Sequence, residues 1–319
     1  MLRIVVFFLL CIGCLPHGQT ADDNDMERVA VYPNPEDDWL FGFHGAISDS
    51  VHGTAAWFDS FFATQEVDGS KPQTSARIRL GWEPRARDLD VFTQKFRLRV
   101  RLPNLAKKVD LIFSDEVEDD KKENQVDQGR EISNDNEDTF TAAIRLINVD
   151  KLTEFVDTRI GISGGDIFTK ARIKYTTSFS DVHQFEFQPS IYYYLDDGFG
   201  QRLFAEYDYN FAPKKQYRMN YSMTFSERFA GHRWRNGYSY LHQLDRFRAT
   251  ALSVVVNGED NGDRGFVVHN YALSFRYRVN AYRKWLYFEL EPFIEWPEEY
   301  DYKTTPGIAF RVEGYFTRE

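Results

Sequence analysis

The chain has 319 residues, 39 Lys and Arg against 49 Asp and Glu, a net charge of -10 and only two cysteines. Its polar mean hydropathy excludes a bundle of membrane-spanning helices, since each helical span needs about 20 consecutive apolar residues. It leaves a membrane β-barrel open, because inward polar positions cancel outward apolar ones in any average, and 28 Phe, 18 Tyr and 6 Trp exceed what a soluble charged chain needs for its core.

Residues 1–21 read as a secretory signal. Arg3 is its basic start, Ile4 to Leu10 its apolar centre and Ala21 the small residue before cleavage; the run is too short to be retained as a spanning helix. A lipoprotein signal ending Cys11-Ile12-Gly13-Cys14, with Cys14 acylated, is the alternative, and Cys11 is a poor residue for its place in it. Cleavage after Ala21 removes both cysteines and Arg3, leaving no thiol chemistry and 38 positive against 49 negative groups. That balance disfavours nucleic acid as a partner.

Residues 22–46 are an acidic lead-in, expected in the periplasm. Over 47–63, Ile47, Val51, Ala55, Phe58 and Phe62 recur at three and four residues, with Trp57 and Phe61 beside them, which predicts one short amphipathic helix. Such a helix either packs against or plugs the barrel, or lies on the inner leaflet with its Trp and Phe as anchors.

From Ser75 to the end the period is two, the mark of strands with different solvents on their two faces. Phe96, Leu98, Val100 and Leu102 alternate with Lys95, Arg97, Arg99 and Arg101, and Ile167, Ala171, Ile173 and Tyr175 with Lys170, Arg172 and Lys174. Tyr271, Leu273, Phe275 and Tyr277 alternate with Asn270, Ser274, Arg276 and Arg278. Fourteen such runs predict an all-β, antiparallel transmembrane barrel over 75–319, with twelve strands as the alternative count because the first two runs are the weakest. The long or glycine-rich connections, Asp115 to Asp138, Asp196 to Gly200 and Asn257 to Gly265, fall after odd strands. That parity is expected of a barrel with both termini in the periplasm. A soluble sandwich or lipocalin-like barrel is the competing architecture. Against it stand polar faces rich in arginine and carboxylates, and apolar faces ending in Trp285, Trp296, Tyr192 and Tyr193, as an aromatic girdle requires. Pro189 and Pro292 fall inside predicted strands and call for bulges or the membrane rim, and Phe316 takes the place of a terminal aromatic three residues inside the end.

With the signal, the cysteine-free mature chain, the alternating runs and the closing EPFIEWPEEYDYKTTPGIAFRVEGYF, the chain resembles a Gram-negative outer-membrane β-barrel protein, similar to porin-like proteins of gammaproteobacteria. The resemblance implies an architecture and an outer-membrane location, and brings no cargo or activity.

Chemistry is sparse. None of the seven histidines is followed by serine at the spacing that puts base and nucleophile on one strand face; His269 and Ser274, like His242 and Ser239, face opposite sides. A rim site of Asp196, Asp197 and His232 is the remaining hydrolase arrangement. The stretch 115–138 has eleven acidic residues against three basic, and NGEDNGDRG is rich in oxygen ligands, but neither has the spacing of a calcium loop. Phosphate-binding glycine patterns are absent.

The informative surface is the lumen. The inward positions Arg77, Arg79, Arg97, Arg99 and Arg101 make a basic arc on the first two strands, Arg172, Arg276 and Arg278 add to it, and Glu289, Glu291, Glu295, Arg311 and Glu313 lie on the last two. Closure sets the two arcs side by side. They either hold a transverse field across a water-filled pore or pair and fill the interior, and fourteen strands lie between the filled and the open barrel sizes. The expected function is a passive channel for small polar or ionic solutes, without cofactor or metal and not an enzyme. A non-conducting structural or assembly barrel is the alternative, followed by a rim enzyme cleaving lipid or peptide. Expected partners are outer-membrane lipid and lipopolysaccharide, the barrel-assembly machinery and the solutes themselves.

Overall fold

The computed structural model describes residues 61, 74–101, 109–114, 140–151, 154–262 and 264–318. The strands run in chain order as β1 (Thr74–Trp82), β2 (Phe92–Arg101), β3 (Val109–Ser114), β4 (Thr141–Lys151), β5 (Glu154–Ser163), β6 (Asp166–Ser180) and β7 (His183–Tyr194). They continue as β8 (Gly198–Ala212), β9 (Lys215–Ser226), β10 (Phe229–Gln243), β11 (Arg248–Asp260), β12 (Phe266–Asn280), β13 (Leu286–Pro297) and β14 (Thr305–Arg318). Each pairs antiparallel with its sequence neighbours, and β1 meets β14 from Thr74↔Arg318 to Trp82↔Phe310, closing the sheet. Closure leaves no open edge, which a sheet in hydrocarbon requires. The count is fourteen rather than twelve: β1 and β2, weak in periodicity, pair along their length from Thr74↔Val100 to Trp82↔Phe92.

The polarity of this barrel is inside out. Ile78, Leu80, Ile144, Ile160, Ile173, Ile191, Leu252 and Phe275 are exposed on its outer face, whereas Arg218, Arg276, Arg278, Arg311, Glu291 and Glu313 are almost fully buried on its inner face. Such an arrangement is stable only where the surrounding solvent is apolar, and it defines a transmembrane β-barrel. At about 3.3 Å per residue and a tilt of about 40°, a strand of twelve residues crosses roughly 30 Å, enough for the apolar band of a bilayer. Among the described residues no helix is long and apolar enough to cross a membrane.

The connections keep the expected parity. At one end are the long stretch between β3 and β4, the 195–197 and 261–265 connections, and the seven residues of 298–304, which include a 3-10 turn at Glu298–Tyr300. The start of β1 and the end of β14 lie at the other end, with the turns at 213–214 and 244–247. Between β5 and β6 the whole turn is Gly164-Gly165, with φ of 59° and 88°, the left-handed pair that a tight hairpin needs and that glycine adopts without strain.

Four expectations change. Among the described residues there is no α-helix; the helix expected over 47–63 lies outside them except for Phe61, as do the segments 1–21 and 22–46. Phe61 itself is buried inside the barrel against Leu241, Ala249 and Ala251.

Pro189 and Pro292 sit mid-strand, at neither bulges nor the rim. The β6–β7 pairing passes from Arg172↔Ser190 to Tyr175↔Phe187, and the β12–β13 pairing from Ser274↔Phe293 to Tyr277↔Leu290. Each ladder therefore breaks beside the proline that lacks a donor and resumes in the same register, held by the intact pairing on the other side, Pro189↔Leu203 and Pro292↔Ile308.

Tyr192 is no girdle residue. It pairs with Lys170 and Gly200 on the inner face, and a Cβ on Gly200 would lie 2.2 Å from its ring, so the glycine makes room for the tyrosine. In a run of three tyrosines only the middle one, Tyr193, can face outward, since the pleat alternates. The rest of the girdle stands: Trp285 lies against Phe316, both exposed, Trp82 stacks between Phe92 and Phe310, and Trp296 donates from Nε1 to Thr304 at 3.1 Å.

Candidate pore lining

Of the positions expected to face inward, nine are buried on the inner face: Arg77, Arg79, Arg276, Arg278, Glu289, Glu291, Glu295, Arg311 and Glu313. Register puts Arg97 opposite Arg77 and Ser114, Arg99 opposite Ser75 and Ile112, Arg101 opposite Asp110, and Arg172 opposite Asp157 and Ser190.

Strand order then decides their partners. On β12, β13, β14 and β1 the basic and acidic arcs interdigitate. Arg278 Nη1 donates to Glu289 at 2.5 Å and to Glu313 at 2.7 Å. Arg79 reaches Glu289 at 2.9 Å, and Arg77 pairs with Glu313. Arg276 Nε and Arg311 Nη1 share Glu291 at 3.1 and 2.5 Å, while Arg311 Nε donates to Glu83 at 2.7 Å. Farther along, Arg85 lies 3.6 Å from Glu295. Gly81 stands opposite Arg311 on the inner face, and a Cβ there would press on Thr93 Oγ1 at 2.3 Å and on the Arg311 stem at 3.4 Å; the missing side chain lets Arg311 cross to Glu83. The charges of these two arcs meet in direct contact.

A second cluster lies on β2 to β6. Asp157 accepts from Arg145 Nε at 3.0 Å, from Arg159 Nε and Nη2 at 2.9 and 2.5 Å and from Arg172 Nη2 at 2.8 Å. Beside it Arg99 donates to Asp110 at 2.9 and 2.6 Å. On β8 and β9, Arg218 forks onto both oxygens of Asp208 at 2.8 and 3.0 Å, and between β6 and β7 Lys174 meets Glu186 at 2.6 Å. Of this cluster the alternation picks out Arg99 and Arg172, but not Asp110, Arg145, Asp157, Arg159 or Asp208. Their inward parity was available from their apolar neighbours; that three guanidinium groups converge on Asp157 follows only from the β4–β5–β6 register.

At the rim each expected residue has another partner. Asp197 pairs with Arg228 at 3.2 Å, the Asp196 amide donates to Asp166, and His232 lies against Phe225. His269 instead joins Glu298, at 2.8 Å, and Glu259, at 3.3 Å. Burial slightly opposes ionisation of Glu298, which lies outside the spanning strands, but hydrogen bonds from His269 and Arg264 hold its carboxyl below the ordinary carboxylate range. Among the described residues no group of three or more His, Cys, Asp or Glu is arranged to hold a metal ion.

No protein-family model and no curated protein sequence matches the chain. Among solved structures, the outer membrane channel DcaP of Acinetobacter baumannii is similar with a TM-score of 0.49 at 9% identity, covering 79% of this chain and 99% of that one. OprB of Pseudomonas putida gives 0.48 at 8% identity, with 77% and 94% covered, and the KdgM porin gives 0.38 at 9%, with 76% and 99% covered. Likeness at this level concerns architecture and carries no argument about activity.

Proposed function

We propose that the protein is a passive channel of the outer membrane for small polar or ionic solutes. The observation that supports this most is the inverted polarity of a closed fourteen-strand barrel, whose inner wall carries fixed charge on β1–β6, β8–β9 and β12–β14. Fixed charges at close quarters select polar solutes by compensating the hydration they leave behind. In this reading the chain is exported by residues 1–21, inserted by the barrel-assembly machinery, and surrounded by lipid and lipopolysaccharide at its apolar band.

One observation favours a second reading, a non-conducting barrel serving the envelope as a structural element. The charges of β12 to β1 are paired with one another, and Phe61 lies inside the barrel beside them. Single-channel recording of the refolded mature chain in a planar bilayer separates the two. Stable conductance steps whose ion selectivity shifts with Arg99→Glu support the channel. Silence from protein shown folded by heat-modifiable gel mobility rejects it.

A further inference from the structure

We propose that the lumen contains a binding site for a small carboxylate bearing an apolar ring, formed by Arg276 and Gln216 across the apolar strip that Phe61 covers. The proposal rests on the channel reading and names the class of solute that would pause in it.

Four inward residues lie in one register row across four strands: Gln216 on β9, Leu241 on β10, Ala251 on β11 and Arg276 on β12. All are at most 1% exposed. The two ends of this row carry polar groups that no described residue satisfies. Arg276 gives its Nε to Glu291, but neither Nη1 nor Nη2 has a hydrogen-bond partner, and both the oxygen and the nitrogen of the Gln216 amide are without one. Arg311, which shares Glu291 with Arg276, leaves its own Nη2 unsatisfied as well. Single unsatisfied N–H groups also occur on Arg85, Arg172, Arg235, Arg278 and Arg311, but Arg276 is the described arginine that leaves both Nη groups without a partner. Burying unsatisfied donors of a charged group is costly, and such an exception calls for a physical reason.

The middle of the row supplies one. Leu241 and Ala251, with Ala249 and Tyr287, form an apolar niche that holds a benzyl group, the side chain of Phe61. The Phe61 ring meets Tyr287 edge-on at 5.7 Å and lies 5.8 Å from the Arg278 guanidinium. Ala251 stands directly opposite Arg276 and Ala249 directly opposite Arg278, so the ring in the niche is a neighbour of the unsatisfied fork. A solute whose ring takes the place of Phe61 brings a carboxylate to Arg276. Planar guanidinium Nη groups match a carboxylate in two parallel hydrogen bonds, while Gln216, three strands away, borders the far edge of the ring. Acetate has the head without the ring, and benzyl alcohol the ring without the charge; neither satisfies both halves.

The test uses benzoate on the refolded mature chain, in the wild-type form and as Phe61→Ala, with acetate and benzyl alcohol as comparisons. The readout is the urea midpoint of unfolding followed by heat-modifiable mobility, which needs no conduction, since a ligand bound only to the folded state raises it. Benzoate is expected to raise the midpoint of Phe61→Ala in a saturable way, with an apparent Kd about tenfold or more below that of acetate, the gain that burying a ring supplies. Arg276→Lys, which keeps the charge but not the fork, should weaken it several-fold, whereas Gln216→Leu, at the far edge of the ring, should change it little. No benzoate shift in Phe61→Ala, or a shift unchanged in Arg276→Lys, or one equalled by acetate, overturns the site. A saturable shift in a protein that conducts no ions leaves the site standing and rejects the channel. Conductance without the shift does the reverse.

Discussion

Two walls of the same barrel handle buried charge in opposite ways. On β12, β13, β14 and β1, carboxylates and guanidinium groups are interleaved, so that Arg278 touches Glu289 and Glu313 while Arg311 touches Glu83 and Glu291. On β4, β5 and β6, one carboxylate, Asp157, takes hydrogen bonds from three arginines. The first arrangement is redundant, because losing one acid leaves most of its bases another acid within reach. The second converges on a single residue. Buried charge is tolerated when paired and hydrogen-bonded, and these walls show that the tolerance is either shared out or concentrated according to which residue types the strand order brings together.

The largest effect should come from the concentrated wall. Asp157→Asn removes the negative charge shared by Arg145, Arg159 and Arg172 and replaces one of its two acceptor oxygens with a donor, and should cost about 3 to 5 kcal/mol, read as a lowered urea midpoint of the folded barrel. The matching change in the redundant wall, Glu289→Gln, should cost less, about 1 to 3 kcal/mol, since Arg278 retains Glu313 and Arg311 retains Glu291 and Glu83. Equal losses in the two variants would abolish the distinction. Removing both members of one pair sharpens it further. Arg276→Met with Glu291→Leu takes away a charge and its counter-charge together and should change stability by only about 1 kcal/mol, well below either single change, in a double-mutant cycle.

The smallest effect lies outside both walls, at the turn carrying Glu298. Its carboxyl is held below the ordinary range by His269 and Arg264, so the charged form is the one the fold favours. The sign follows from linkage: that contribution is fully present above the unfolded carboxylate pKa of about 4.3, and is lost as pH falls through the lower folded value. Hydrogen exchange of the 298–304 connection should therefore quicken below about pH 4, and Glu298→Gln should remove that pH dependence while leaving the barrel's midpoint at neutral pH nearly unchanged.

Much of the fold was legible along the chain. The alternation of Tyr271, Leu273, Phe275 and Tyr277 with Arg276 and Arg278 reports two solvents, and the glycine pair Gly164-Gly165 marks its turn. Where that reasoning went astray, the cause is physical. Tyr192 looked like a girdle residue because an aromatic triplet has no parity of its own; its inward side is set by pairing with Lys170 and Gly200. Pro189 and Pro292 suggested bulges because a missing donor breaks a ladder, yet the neighbouring strand on the other side holds the register through the break. Phe61 belonged to a predicted helix face, and nothing in its local pattern placed it against Leu241, Ala249 and Ala251.

The sequence by itself determined that this chain makes strands with an apolar and a charged face, how many there are to within two, which ends carry the longer connections, and which arginines and glutamates turn inward. Those properties are periodic and local, set by a side-chain direction that reverses at every residue. Only the tertiary structure decided that β14 closes on β1 in the register that sets Arg79 and Glu289 together, that Asp157 serves three arginines, and that Arg276 and Gln216 end one row with their polar groups unsatisfied. Contacts between residues as distant in sequence as Arg77 and Glu313 depend on the shear of a closed sheet, which no single strand contains.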